Sequence, residues 1–273
     1  MAKRDEEPKA LVRHEAPAFI VAAMDGDTSL VKMENQRLIP RALMVQALSS
    51  DELKAQFGEG SLVIASASAV LAEKEQSFHV VPLFYFDEYI TWRDRRDKTG
   101  QPIIARTFDD NHEIAILSET PAKRVELYDG GPPENPWKMH HAHHRNFACM
   151  VYGDHQLGGT SVVLSFAKGE AMSGVNWINA CLTRKIAGQS APLWSQVWKL
   201  SVVKKTNKHG NKWWGLVASA PDGSLWITEE EGPAFQQLHL DLKKDYEKQL
   251  LVVDHGEGEA EAEAEVAGED GPF

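Results

Sequence analysis

The stretch from residue 194 to 219, WSQVWKLSVVKKTNKHGNKWWGLVAS, constrains the fold more than any other part of the chain. Its first part, WSQVWKLSVVK (194–204), is β-branched and aromatic and alternates with polar residues, the pattern of a half-buried strand. TNKHGNK (206–212) then supplies Asn and Gly where a chain must reverse, so residues 213–219 return as the second strand of a hairpin. Successive side chains on a strand point to opposite faces. Trp213 and Trp214 therefore cannot share a face: one is a core candidate and the other a surface candidate. A second turn, Pro221-Asp222-Gly223, leads to another short run at 225–228.

The rest of the second half extends this into a meander with one helical insert. Residues 147–152 and 161–166 (SVVLSF) read as strands. Residues 171–187 read as a helix with Val175, Ile178, Leu182 and Ile186 on one face, ended by Gly188. Residues 236–251 read as a closing helix or strand. In the first half, residues 41–56 carry helical spacing, with Ser49, Ser50 and Asp51 placed to restart a helix, and the Ala-rich run 61–74 reads as a helix or buried segment. FHVVPLFYFDEY (78–89) reads as a strand in which Pro82 demands an edge or a bulge. Residues 91–146, with recurrent Gly, Pro, Asp and Asn, read as irregular. Residues 1–16 read as a flexible N-terminus, 17–253 as the folded domain with a helical N-terminal elaboration, and 254–273 as a disordered tail. The fold class expected is α+β.

Charge is segregated along the chain. The net charge is −11, yet the last 20 residues hold eight acids and no Lys or Arg, so the remainder carries −3. Between Thr160 and Gly215 eight basic residues (Lys168, Arg184, Lys185, Lys199, Lys204, Lys205, Lys208 and Lys212) face a single acid, Glu170. Local charge decides where a phosphate backbone can dock. The same region contains Trp194, Trp198, Trp213 and Trp214, with Trp226 just beyond. Cations for phosphates and exposed rings for bases are what binding to single-stranded DNA requires. Trp198, Trp213, Trp214 and Trp226 are thus either stacking residues or core. Upstream, Arg93, Arg95, Arg96 and Arg106, with Trp92 nearby, either extend a cationic path or belong to a solvated charged loop, because Asp94 and Asp97 interleave with them.

The alternating Gly/Ala/Glu tail cannot bury enough apolar surface to fold. It ends Glu269-Asp270-Gly271-Pro272-Phe273, which resembles the acidic tip of bacterial single-stranded DNA-binding proteins. The segments FYFDEYITWRDRRDKTGQPIIARTFDDNHEI (84–114) and APLWSQVWKLSVVKKTNKHGNKWWG (191–215) are similar to phage-encoded DNA-binding proteins of replication or recombination modules. These resemblances imply an OB-like β-barrel core and a tail whose Glu269, Asp270, Pro272 and Phe273 recruit a polymerase, primase, helicase, nuclease or recombinase. They imply single-stranded DNA as the main partner, with a homo-oligomer possible, in the cytoplasm of a bacterial host.

Other classes receive less support. There is no GxxxxGK[ST], GxGxxG or GxSxG, so no enzyme and no cofactor is expected. His140, His141, His143 and His144, followed by Cys149, form the sharpest competing cluster. They are contiguous, whereas a zinc site usually draws on separated pairs. A metal-dependent nuclease centred on 140–149 and an adaptor that binds no nucleic acid are the two rival readings. Two cysteines, Cys149 and Cys181, form no disulfide framework and suit a reducing compartment. No membrane span is expected, since no run approaches about 20 apolar residues.

Overall fold

The computed structural model of the chain describes residues 37–94 and 96–254. Within them most strands join one 11-stranded sheet. The central pair is the longest: β4 (Ser77–Trp92) runs antiparallel to β7 (Lys138–Tyr152) through thirteen registered residue pairs. Pro82 lacks an N–H for the ladder, and the register shifts between Pro82 and Phe84, so the proline sits at the bulge its chemistry demands. β8 (Ser161–Phe166) follows on the β7 side, then β1 (Arg37–Met44), β2 (Leu62–Ile64) and β3 (Ala69–Ala72). On the β4 side lie β11 (Trp198–Thr206) and, at the end of the path, β12 (Lys212–Ser219). β5 (Ile103–Thr107) and β6 (Val125–Leu127) flank the far ends of β4 and β7, and β13 (Leu251–Asp254) pairs in parallel with β1. β9 (Lys185–Ile186) and β10 (Gln189–Ser190) form a separate two-stranded hairpin.

Four α-helices complete the described residues: α1 (Asp51–Phe57), α2 (Glu113–Glu119), α3 (Ala171–Thr183) and α4 (Gly232–Glu247). The chain is therefore mixed α and β around a sheet. The two largest cores lie on its two faces. One gathers Leu62, Ile64, Phe78, Val80, Phe147, Leu164, Leu200, Trp198 and Trp214 and is plugged by α3, whose Trp177 stacks on Phe147 at a centroid separation of 4.1 Å. The other packs Val81, Leu83, Phe86, Met150 and Val163 against Phe235 and Leu242 of α4.

The sheet curls without closing. β3 and β4 are joined through only residues 73–76, yet they stand five steps apart in the strand order, so the sheet must bend back on itself. No backbone ladder joins β12 to the β1 side among the described residues. The closed OB-like barrel expected from the sequence is in that respect an open, rolled sheet.

Several local expectations also change. Residues 41–48 begin within β1, and the helix starts only after Ser50, whose Oγ accepts from the Leu53 N–H as an N-cap. The Ala-rich run 61–74 forms β2, a 3₁₀ turn and β3, so Val63, Ile64, Val70 and Leu71 follow sheet pairing rather than Ala propensity. In the described part of the N-terminal elaboration, residues 37–75, three strands accompany a single α-helix. Residues 91–146 contain β5, α2, β6 and the first half of β7. α3 ends at Thr183, and its inward face is Gly174, Trp177 and Cys181, whereas Leu182 and Ile186 are exposed. Residues 225–228 make an isolated bridge, Trp226 to Gln196, instead of a strand.

Candidate functional site

An edge strand carries a row of outward backbone N–H and C=O groups that must find partners if they are not solvated. On β12 those groups belong to Trp214 and Leu216, and side chains satisfy them. Gln46 reaches across from the end of β1: its Oε1 accepts from the Trp214 N–H at 2.9 Å, and its Nε2 donates to the Trp214 carbonyl at 2.7 Å. The side-chain amide thereby stands in for one rung of a strand. Two residues along, Glu170 Oε2 accepts from the Leu216 N–H at 3.0 Å, and Lys205 Nζ donates to the Leu216 carbonyl at 2.9 Å.

Glu170 is the hub of this arrangement. Besides Leu216 it accepts from Lys205 Nζ at 2.8 and 2.7 Å on its two oxygens, and from Trp213 Nε1 at 2.8 Å. The indole of Trp213 is half-buried and fixed in orientation by that bond. Gly215 must be glycine for this packing, because a Cβ there would overlap the Glu170 carboxylate. On the neighbouring ring, Trp214 Nε1 donates to Glu59 Oε1 at 3.0 Å, and the Gly60 backbone lies so close that a Cβ would sit 2.8 Å from the indole. Gly60 also holds a φ of +88°, which suits glycine alone.

Because side chains rather than a strand span this gap, a space remains beneath them. It is a pocket of about 130 Å³ walled by β1, the end of β8, the turn at 167–170 and the start of β12. Its lining is mostly apolar, with Trp213 and Trp214 on one wall and the cations Arg41 and Lys168 among the others. Arg41 is only 7% exposed. These two cations share the lining with one carboxylate, Glu170, which is itself paired with Lys205. The hairpin of β11 and β12 projects beside the pocket, with Lys204, Lys208 and Lys212 exposed; Lys204 Nζ lies 5.4 Å from the centre of the Trp214 ring.

The remaining sequence candidates separate by environment. Trp92, Trp198 and Trp214 are buried, at 3%, 4% and 6% exposure, and frame the cores. Trp226 is half-buried at the rim near Gln196. Arg184 stacks its guanidinium 3.5 Å over the Trp198 ring and donates to the Val197 carbonyl, and Lys199 bonds Asp222 at 2.7 Å. Lys185 is exposed on β9. Arg93 pairs with Asp97 at 2.7 Å and Arg96 with Asp94 at 2.6 Å; the bond from Thr99, joined by that from Arg93, holds the Asp97 carboxyl well below the usual range, and the bonds from Arg96 do the same for Asp94. Arg106 lies 3.9 Å from the buried Glu88. Trp92 and these arginines are not among the residues that line the pocket. Arg95 and the tail residues Glu269, Asp270, Pro272 and Phe273 lie outside the described residues.

The histidine run is spread over β7 and alternates between faces. His141 Nδ1 bonds Thr91 Oγ1 at 2.9 Å, and His144 Nδ1 bonds Ser165 Oγ at 3.0 Å. His143 bridges Asp87 at 2.6 Å and Glu119 at 2.9 Å. Burial pushes the Asp87 carboxyl up, but its bonds from His143 and Tyr85 outweigh that and leave it lowered. Burial also pushes the His140 imidazole down to about 4, and raises the Cys149 and Cys181 thiols. Among the described residues no group of three or more His, Cys, Asp or Glu is arranged to hold a metal ion, and no helix is long and apolar enough to cross a membrane.

Sequence reasoning missed Gln46, Arg41 and the role of Glu170. Glu170 carried a signal, as the one acid in an otherwise basic segment. Gln46 carried none, because its contact with Trp214 spans 168 residues. No curated protein and no solved structure matches the chain. A family model described as Pam3 phage gp34-like protein matches residues 9–238, and by that match the chain belongs to the Pam3 phage gp34-like protein family.

Proposed function

We propose that this phage-family protein binds single-stranded DNA without reading its sequence and without catalysing a reaction, in replication, recombination or repair within the bacterial host cytoplasm. The observation that carries the reading is the placement of three exposed lysines, Lys204, Lys208 and Lys212, on the hairpin beside a pocket whose edge holds Trp213 in a fixed orientation. Phosphates need salt-sensitive cations, bases need rings, and the two occur here within one element. Lys168 and Arg41 are among the residues that line that pocket. Lys185 adds an exposed cation on β9, while Trp198, Trp214, Arg184 and Lys205 act by holding the scaffold. The acidic tail would recruit replication proteins through Glu269, Asp270, Pro272 and Phe273, its charge steering it to a basic partner surface.

The test is the salt dependence of binding to a labelled dT 30-mer. For single strands the slope of log K against log salt falls by about 0.7 per phosphate contact. Lys204→Ala/Lys208→Ala/Lys212→Ala should therefore lower the slope by about 2 and weaken binding at low salt. An unchanged slope would remove the hairpin from the interface, and no binding of the unmodified protein at low salt would leave the adaptor reading.

A further inference from the structure

The geometry points to His143 as a proton-dependent latch that holds the last turn of α2 on the sheet and releases it as pH rises through the histidine range. This inference does not depend on DNA binding.

α2 has seven residues, too few to persist without tertiary support. It buries Ile114, Ala115 and Ser118, and the first two pack with Tyr89 of β4. At its N-terminal end His112 acts as the cap, its Nδ1 accepting from the Ile114 N–H at 3.2 Å. The C-terminal end is unfavourable in isolation. Glu119 is the final residue, where the helix dipole disfavours an acid, and the last turn has no basic residue. The compensating group comes from β7. His143 Nδ1 lies 2.9 Å from Glu119 Oε1, and its Nε2 lies 2.6 Å from Asp87 Oδ1. The imidazole also lies against the ring of Tyr89 at a centroid separation of 4.6 Å.

The proton count follows from the imidazole itself. A neutral ring has one N–H and one lone pair, so it donates to one carboxylate, and its other nitrogen then faces an oxygen that offers no hydrogen. Both bonds exist together only in the imidazolium. On losing a proton the ring keeps Asp87, which is 26% exposed against 57% for Glu119 and is also fixed by the Tyr85 hydroxyl at 2.6 Å. Glu119 is the partner that leaves. Arg124 Nε still donates to the Ser118 carbonyl, so release frees the last turn and not the whole helix. Neighbouring charges act in both directions. Arg145, whose charge reaches Asp87, opposes the imidazolium, and Asp110, bonded by the Tyr89 hydroxyl, favours it. His141, on the same face of β7, lies 3.4 Å from Glu126 and responds to pH in the same sense. The His112 cap needs its lone pair and responds in the opposite sense.

The experiment is amide hydrogen exchange of the full chain at about pH 5.5 and about pH 8, either side of the ordinary histidine range. Rates in the segment 116–123 are divided by those of an unstructured peptide at each pH. Protection there should be about fivefold lower at the higher pH, the scale of one partly exposed ion pair. Glu119→Gln is the discriminating variant. Its amide can accept from a ring N–H or donate to a bare ring nitrogen, so it meets either form of His143. The position is also exposed enough to spare the fold. In Glu119→Gln, protection of 116–123 should be equal at the two pH values. His112→Asn, which caps without titrating, should leave the alkaline loss in place. Equal protection at both pH values in the unmodified protein would overturn the inference. An alkaline loss that survives Glu119→Gln would overturn it as well, by assigning the loss to another group such as His141. Disappearance of the loss in His112→Asn would overturn it by placing the switch at the other end of the helix.

Discussion

Replacing Glu170 tests the claim that side chains, rather than a strand, finish the β12 edge. Glu170→Ala removes two charge-assisted bonds to Lys205, one from the Trp213 indole and one from the Leu216 N–H. It leaves a backbone donor on the sheet edge without its acceptor. It also leaves the Lys205 ammonium, 18% exposed in its side chain, with only Ser173 Oγ and the Leu216 carbonyl. Breaking a fully buried ion pair by removing one partner costs about 3–5 kcal/mol. Glu170 and Lys205 are each about one-fifth exposed and two acceptors remain, so the expected loss is about 2–3 kcal/mol. Glu170→Gln keeps the shape and one acceptor and should lose about half of that. Lys205→Met, combined with Glu170→Gln in a double-mutant cycle, should reveal a coupling of about 1–2 kcal/mol. Urea unfolding followed by circular dichroism measures each value, read from the midpoint at unchanged slope. An unfolding free energy for Glu170→Ala within about 0.5 kcal/mol of the unmodified protein would refute the argument.

Three further outcomes follow from the same structure. Trp177→Ala should cost about 3–5 kcal/mol, because the ring is fully buried against Phe147, while Leu182→Ala on the exposed face of α3 should change stability by less than about 0.5 kcal/mol in the same urea assay. His140 is held neutral in the folded chain by burial and by the nearby Lys168 charge, with its pKa pushed from 6.5 down to about 4. The unfolded chain then binds the extra proton between those values, so stability is level above pH 6.5 and falls as pH drops towards 4, by about 1–2 kcal/mol once solvent screening of this partly exposed ring is counted. Urea midpoints for His140→Asn should show a shallower fall, and an identical profile would exclude this residue as the cause. Deleting residues 255–273 removes a polyanion tethered next to β13 and should tighten DNA binding at low salt; unchanged or weaker binding would count against competition between tail and DNA.

Features fixed by neighbours along the chain are legible in the residues themselves. The strand at Ser161–Phe166, the bulge at Pro82, the cap at Ser50 and the hairpin turn between Thr206 and Lys212 each follow from a local rule, and each is present. The opposed roles of Trp213 and Trp214 are likewise legible: one ring is half-buried on the Glu170 side, the other buried in the core. Features fixed by distant partners are not. Ala69–Ala72 has helical composition, but β2 pairs with it and the sheet overrides propensity. The inward face of α3 follows Trp177 and Cys181 because Phe147 lies opposite, a contact no helical wheel contains. Basic residues look equivalent as a run of charge. The fold divides them into Lys205 and Arg184, which brace the scaffold, and Lys204, Lys208 and Lys212, which stand exposed.

The most direct test of single-strand binding is a tryptophan fluorescence titration of the full chain with poly(dT) at two salt concentrations, with a duplex as control. The expected result is quenching by poly(dT) that weakens as salt rises and is absent with the duplex, since Trp213 stands at the pocket beside the lysine hairpin. No quenching, together with no gel shift at low salt, would contradict single-strand binding.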